Sequence, residues 1–246
     1  MLKSVITKAL YKTPILQRLT GPVLRPGGLG LTRESAMKCG LEPGHRVLDV
    51  GCGYGAAVKM LAGEFSLLAW GIDSDLDLLR LNPGKSRIQA RAQTLPFRSN
   101  SFRALFCECV LSLTPDMGVT LGEFGRVLEP GGALVLCDIH IREKRYRDQL
   151  KNIPLICGFR QALDKQEIQE LVQGAGFENP RWEDLSHLLT QIAGQAVFDH
   201  GSLVKFWADV FGGECPSSLH TCEIIRASRP GYFRIIAKKK KQREKI

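Results

Sequence analysis

The chain has 246 residues, 44% of them hydrophobic and 24% charged, and a formal net charge of +9 from 34 Lys+Arg against 25 Asp+Glu. That balance excludes a disordered or fibrous chain and fits one large α/β unit with a real core. No apolar run reaches about 18 residues, so no membrane-spanning helix is expected, and eight cysteines are too sparse for a small disulfide scaffold.

Residues 1–40 read as an N-terminal helical segment. Met1–Leu19 is basic and amphipathic, without the apolar stretch and small-residue cleavage site of a secretory signal. A transit peptide and a plain helix both fit; the plain helix is expected, with reduced thiols and a cytoplasmic location. Leu24–Gly30 reads as a loop, because Pro26 and three glycines do not continue a helix. Thr32 is placed as the cap of a short helix to about Lys38.

The core, residues 41–185, alternates strands and helices. Strands are expected at His45–Val50, Ser66–Ile72, Arg87–Ala90, Phe102–Val110, Ala133–Ile139 and Arg181–Leu185. Helices are expected after Gly55 to about Gly63, at Asp75–Leu81 with a stop at Asn82-Pro83-Gly84, at Met117–Leu128 with a stop at Glu129–Gly132, and at Asp164–Ala175. Alternation of this kind means a doubly wound parallel sheet covered on both faces. Residues 186–230 break the pattern as a helical insertion. Residues 231–246 hold the last strand, Tyr232–Ala237, and a basic tail.

The first strand ends in Asp49-Val-Gly51-Cys52-Gly53-Tyr-Gly55 and opens a helix. Glycine lets the backbone approach a ligand, and a helix start offers free N–H groups. Acidic Asp49 disfavours a pyrophosphate and favours a cationic group. Asp73 ends the next strand, 18 residues after Gly55, where a carboxylate can accept both hydroxyls of a ribose. The set suggests a nucleoside carrying an amino acid.

Four motifs in order carry a family resemblance. Val47-Leu-Asp-Val-Gly-Cys-Gly-Tyr-Gly55 resembles motif I of class I S-adenosylmethionine-dependent methyltransferases, and Gly71-Ile-Asp73 resembles motif II. Leu95-Pro-Phe-Arg-Ser-Asn-Ser-Phe102 and Glu123-Phe-Gly-Arg-Val-Leu-Glu-Pro-Gly-Gly132 resemble the segments entering the fourth and fifth strands. The resemblance implies a Rossmann-like seven-stranded sheet with the last strand antiparallel, and S-adenosylmethionine as cofactor. It implies that Gly51, Gly53 and Gly55 pass the cofactor's methionine part, that Asp49 lies near its amino group and that Asp73 binds the ribose. Arg91 and Ala92 would flank the adenine, with Arg91 standing where the family often carries Asp. Cys52 and Ser74 complete the candidate cofactor set.

The acceptor side is sought beyond the carboxyl ends of the strands. Glu108 is a candidate for orienting an acceptor, acting as base, or binding the cofactor amine; His140 is a second candidate base. Cys107 and Cys109, two apart on a strand, are expected to face one way. Cys109-Val-Leu-Ser-Leu113 and Cys157-Gly-Phe-Arg-Gln-Ala-Leu163 resemble segments of arsenite methyltransferases, in which the matching cysteines, here Cys109 and Cys157, hold the metalloid. Glu108 departs from that pattern, as does the C-terminal third. No spacing implies a resident metal.

The motifs thus point to a methyltransferase acting on a small-molecule acceptor by in-line transfer. An arsenite-type enzyme, an RNA or protein methyltransferase, and a cofactor-binding module without turnover are the alternatives. Residues 1–33 hold six Lys+Arg and no acid, and residues 234–246 hold seven with one acid, so residues 34–233 carry −3. A polyanion groove across the body is therefore not expected.

Overall fold

The computed structural model describes residues 8–81, 86–213 and 216–241. Seven strands, β1 (Arg46–Val50), β2 (Leu68–Asp73), β3 (Arg87–Gln89), β4 (Phe102–Glu108), β5 (Leu128–Ile141), β6 (Phe177–Asp184) and β7 (Pro230–Lys239), form one sheet. Their order is β3-β2-β1-β4-β5-β7-β6. The first five pair with one another in parallel, and β7 runs antiparallel to both β5 and β6.

The period-2 alternation of a strand explains the two cores. Leu48, Val50, Leu105, Leu134 and Leu136 face Leu121, Phe124 and Val127 of α5 (Met117–Val127) and Ile168 and Val172 of α7 (Lys165–Gly174). The intervening Val47, Ala104, Phe106, Val135 and Cys137 face Leu31 and Ala36 of α2 (Gly28–Lys38) and Val58, Met60 and Leu61 of α3 (Ala56–Phe65). Strands buried on both faces need continuous apolar runs, and these have them. Asp164 begins α7 with a complete capping box, its carboxylate accepting from the backbone while Glu167 reaches back.

A third apolar cluster lies beyond Ile141, at the carboxyl end of β5. It joins α1 (Pro14–Thr20), α6 (Arg147–Lys151) and the insertion, α8 (Ser186–His200), α9 (Leu203–Phe211) and α10 (Pro216–Ala227), around Leu150, Phe206, Trp207 and Ile224. The remaining short helix is α4 (Leu76–Leu81).

Several boundaries differ from the sequence expectation; β4, for one, ends at Glu108 and not at Val110. The α2 helix starts at Gly28, four residues before Thr32; Gly27, at φ +79°, makes the entry turn. Thr32 is therefore a fully buried mid-helix residue. The Glu129–Gly132 segment stays in β5, because Leu128 pairs with Phe102 across an irregularity in the ladder. The β6 strand begins at Phe177, where Phe177 and Glu178 pair with Lys239 and Lys238. The stop at Asn82-Pro83-Gly84 and the last residues of the basic tail lie outside the described residues. The Lys239 ammonium donates to Asn100 Oδ1 (2.8 Å) and the Leu128 carbonyl (2.7 Å), so β7 leaves the sheet at its amino edge.

Candidate active site

The glycine loop is knitted to β2. The N–H groups of Gly51 and Cys52 both donate to the Ile72 carbonyl, at 2.8 and 2.9 Å. Gly51 has φ +74°, and a Cβ there would lie 2.2 Å from Val110 Cγ2. Gly53, at φ +50°, is different: a Cβ would meet nothing within 4 Å. Asp73 fixes this geometry from the end of β2. Its Oδ2 accepts from Gly53 N–H and its Oδ1 from Asp75 N–H, both at 2.8 Å.

The end of β4 carries a buried ion pair. Arg25 donates to Glu108 Oε2 at 2.6 Å, with both side chains almost fully buried. Arg25 also donates to Thr32 Oγ1, and the Thr32 hydroxyl donates to the same Glu108 oxygen at 3.0 Å. The Arg25 Nε is buried without a hydrogen-bond partner. The next residue, Cys109, adopts φ +59°, turning the chain out of the strand while its thiol contacts the Tyr232 hydroxyl at 3.4 Å. Its N–H donates to the Cys137 carbonyl at 2.7 Å. Asp138 holds the following turn, Leu111–Leu113, accepting from Ser112 N–H (2.9 Å) and Ser112 Oγ (2.7 Å).

These edges enclose a cavity of about 680 Å³. Asp49, Gly51, Cys52, Gly53, Asp73, Ser74, Arg91, Ala92, Glu108 and Cys109 all line it. Burial pushes the Asp49 carboxyl up to about 7 against the pull of Arg25, and burial also raises that of Asp73. Three carboxylates against two guanidiniums at a desolvated wall suit a cationic guest. S-adenosylmethionine fits on this chain's own features: the open space over Gly53 admits a ligand against backbone, and buried acids await positive charge. Among the described residues, no group of three or more His, Cys, Asp and Glu could hold a metal ion.

The roof of the cavity comes from residues 9–25, which the sequence presents only as a helical segment and a loop. Ala9 pairs in parallel with Ile156, with Leu10 N–H donating to the Ile156 carbonyl at 2.9 Å and Ile156 N–H to the Lys8 carbonyl at 3.0 Å. Gln17 donates to the Tyr54 hydroxyl at 2.7 Å, and Lys12 pairs with Asp75 at 2.5 Å. Tyr11, Pro22, Val23, Leu24 and Arg25 thereby face the cavity. No periodicity marks this strap, because the partners that seat it, Ile156, Tyr54 and Asp75, are distant in sequence.

Two candidates lie elsewhere. His140 is buried against Trp182 and Phe233, with neither ring nitrogen hydrogen-bonded and neither on the cavity. Burial and Arg142 hold it down at about 4. Cys157 is also buried and off the cavity wall, although its neighbour Ile156 is on it. Gly55 caps α3 at φ +76° behind the lining. Cys107 and Cys109 do not share a face: β4 ends at Glu108, Cys107 stays in the core, and burial raises both thiols. The two sequence segments before β4 and β5 meet directly. Arg126 donates to the carbonyls of Phe97 (2.8 Å) and Leu95 (3.0 Å), while Glu123 accepts from Leu95 N–H at 2.8 Å.

Residues 48–136 match a family model described as a methyltransferase domain. The chain is 26% identical over 212 residues to the uncharacterized methyltransferase YodH of Bacillus subtilis, covering 76% of this chain and 89% of that protein. Among solved structures, the [4+2]-cyclase SpnF superposes with a TM-score of 0.73 at 24% identity, covering 95% of this chain and 94% of that one. Phosphoethanolamine N-methyltransferase 2 of Haemonchus contortus, in complex with S-adenosyl-L-methionine, gives 0.71 at 18% identity, covering 92% of this chain and 56% of that one. With the glycine loop, Asp73 and the β3-β2-β1-β4-β5-β7-β6 sheet in place, these likenesses support a class I S-adenosylmethionine-dependent methyltransferase.

Proposed function

We propose that the protein is a single-domain, cytoplasmic enzyme transferring a methyl group to a small-molecule acceptor, both ligands sharing the one cavity. The observation that carries this reading is continuity. The same cavity runs from Asp73 and Ala92 to the strap and the turn after β4.

Bound in the first half, the cofactor supplies a methyl group already activated on a sulfonium. The loop from Gly51 to Gly53 presents backbone to it, Asp49 faces its amino group, and Asp73, with Ser74 beside it, faces its ribose. Arg91 and Ala92 border the adenine. Arg25 and Thr32 both donate to Oε2 of Glu108, which fixes the side chain and makes it a positioning group better than a free base. Orientation of the acceptor in line then supplies much of the rate. The strap excludes water from the roof.

The basic tail supports no polyanion at this site, since β7 leaves at the opposite edge of the sheet. A metalloid acceptor gripped by Cys109 and Cys157 gains no support, because Cys157 is off the wall. A cofactor-binding module without methyl transfer is the second reading, since the same fold is found in a protein named for a reaction other than methyl transfer. Calorimetry with S-adenosylmethionine and Asp73→Asn tests the cofactor site: the substitution should weaken binding at least tenfold. Labelled cofactor incubated with a small-metabolite pool should yield methylated product and S-adenosylhomocysteine. Binding without any turnover would favour the second reading.

A further inference from the structure

We propose, resting on the function just stated, that the acceptor is an uncharged, largely apolar molecule with no phosphate or carboxylate group. Once the glycine loop, Asp73 and Arg91 are assigned to the cofactor, the rest of the wall belongs to the acceptor. Its apolar part includes Tyr11, Val23, Leu24, Val110, Leu113 and Ile156. All six are half-buried, as apolar side chains facing a cleft are.

The charges of this half cancel. Arg25 is the cation bordering it, and its charge is neutralised in the buried pair with Glu108. Arg91, the other cation on the cavity wall, stands at the adenine end. The Lys12 ammonium, although on the strap, is tied to Asp75 and does not line the cavity. Among the described residues, no free cation is left to receive an anionic head group, which would be desolvated unpaired. Of the hydroxyls, Ser74 and Thr94 lie at the cofactor end, Thr94 paired with Arg91, and Thr114 donates to the Leu111 carbonyl at 2.8 Å, so that of Tyr11 is the polar handle for orienting a bound ring or chain. A few polar groups on an apolar wall are what a site for such a ligand needs.

The test uses the full chain loaded with S-adenosylhomocysteine and three probes: a hydrophobic hydroquinone, its monophosphate ester and phosphoethanolamine. Calorimetry should give saturable binding of the hydroquinone with a negative heat-capacity change, and at least tenfold weaker binding of both phosphates. Leu113→Lys should narrow or reverse that preference, and Leu113→Ala should weaken the hydroquinone severalfold, both with cofactor binding retained. Failure to bind S-adenosylhomocysteine would strike the underlying function instead. A loaded protein that ignores the hydroquinone, or binds a phosphate probe as well, overturns the inference.

Discussion

Replacing Arg25 by Met removes the charge facing Glu108 and keeps the apolar stem. The pair is one of the most buried ion pairs among the described residues, with side chains 7% and 3% exposed. Removing one partner of such a pair leaves the other charge desolvated, which costs about 3–5 kcal/mol. Against a total stability of about 5–15 kcal/mol, that is a large fraction. Glu108→Gln should cost somewhat less, since the amide still accepts from Thr32 and Arg25. The double variant should recover at least ~2 kcal/mol of the summed loss, because no uncompensated charge remains. Urea unfolding of the three variants without ligand, at unchanged slope, reads each value. A loss below about 1 kcal/mol for Arg25→Met, as expected for an exposed pair, would refute the reasoning, as would strict additivity.

Gly51→Ala should destabilise the fold by ~2 kcal/mol or more, from left-handed strain plus the 2.2 Å approach to Val110, and should be visible in thermal unfolding. Gly53→Ala should cost only about 1 kcal/mol of stability yet abolish cofactor binding, since its methyl enters open space in the cavity; normal calorimetric affinity would count against the cradle. Because Asp49 sits at about 7 in the free protein, cofactor affinity should fall as pH drops below 7, by up to about tenfold per unit. Asp49→Asn should flatten that profile. His140, held down at about 4, takes up its proton more readily when unfolded, so its contribution to stability is lost as pH falls from 6.5 towards 4. His140→Phe should make the stability curve shallower across that window, and an unchanged slope would remove His140 from the acid response.

The glycine loop and Asp73 were legible because their chemistry is local: backbone that must turn sharply beside a ligand, then an acid at the next strand end. The parallel sheet was legible for the same reason, since strands buried on two faces announce themselves as apolar runs. Arg25 was not. It sits in Leu24–Gly30, a stretch whose composition says only loop, and its meaning comes from Glu108, 83 positions away. Thr32 misled in a related way. A hydroxyl near a helix start reads as a cap, but the helix had already begun at Gly28 and the hydroxyl was serving the ion pair. Cys109 was read by strand alternation, which stopped one residue earlier at Glu108. Local rules failed where the chain serves a site assembled from afar.

The pairing of Ala9 with Ile156 bears on how the enzyme comes into being. During synthesis the strap emerges first, but its docking partner lies 147 positions later. A loop of that length closes late and at an entropic cost. The glycine loop and its neighbouring strands can therefore be in place while their roof still waits for the second half of the chain. Cofactor arriving in that interval would meet an open, solvent-exposed half-site. Closure of the strap becomes the step at which a folded scaffold becomes a chamber.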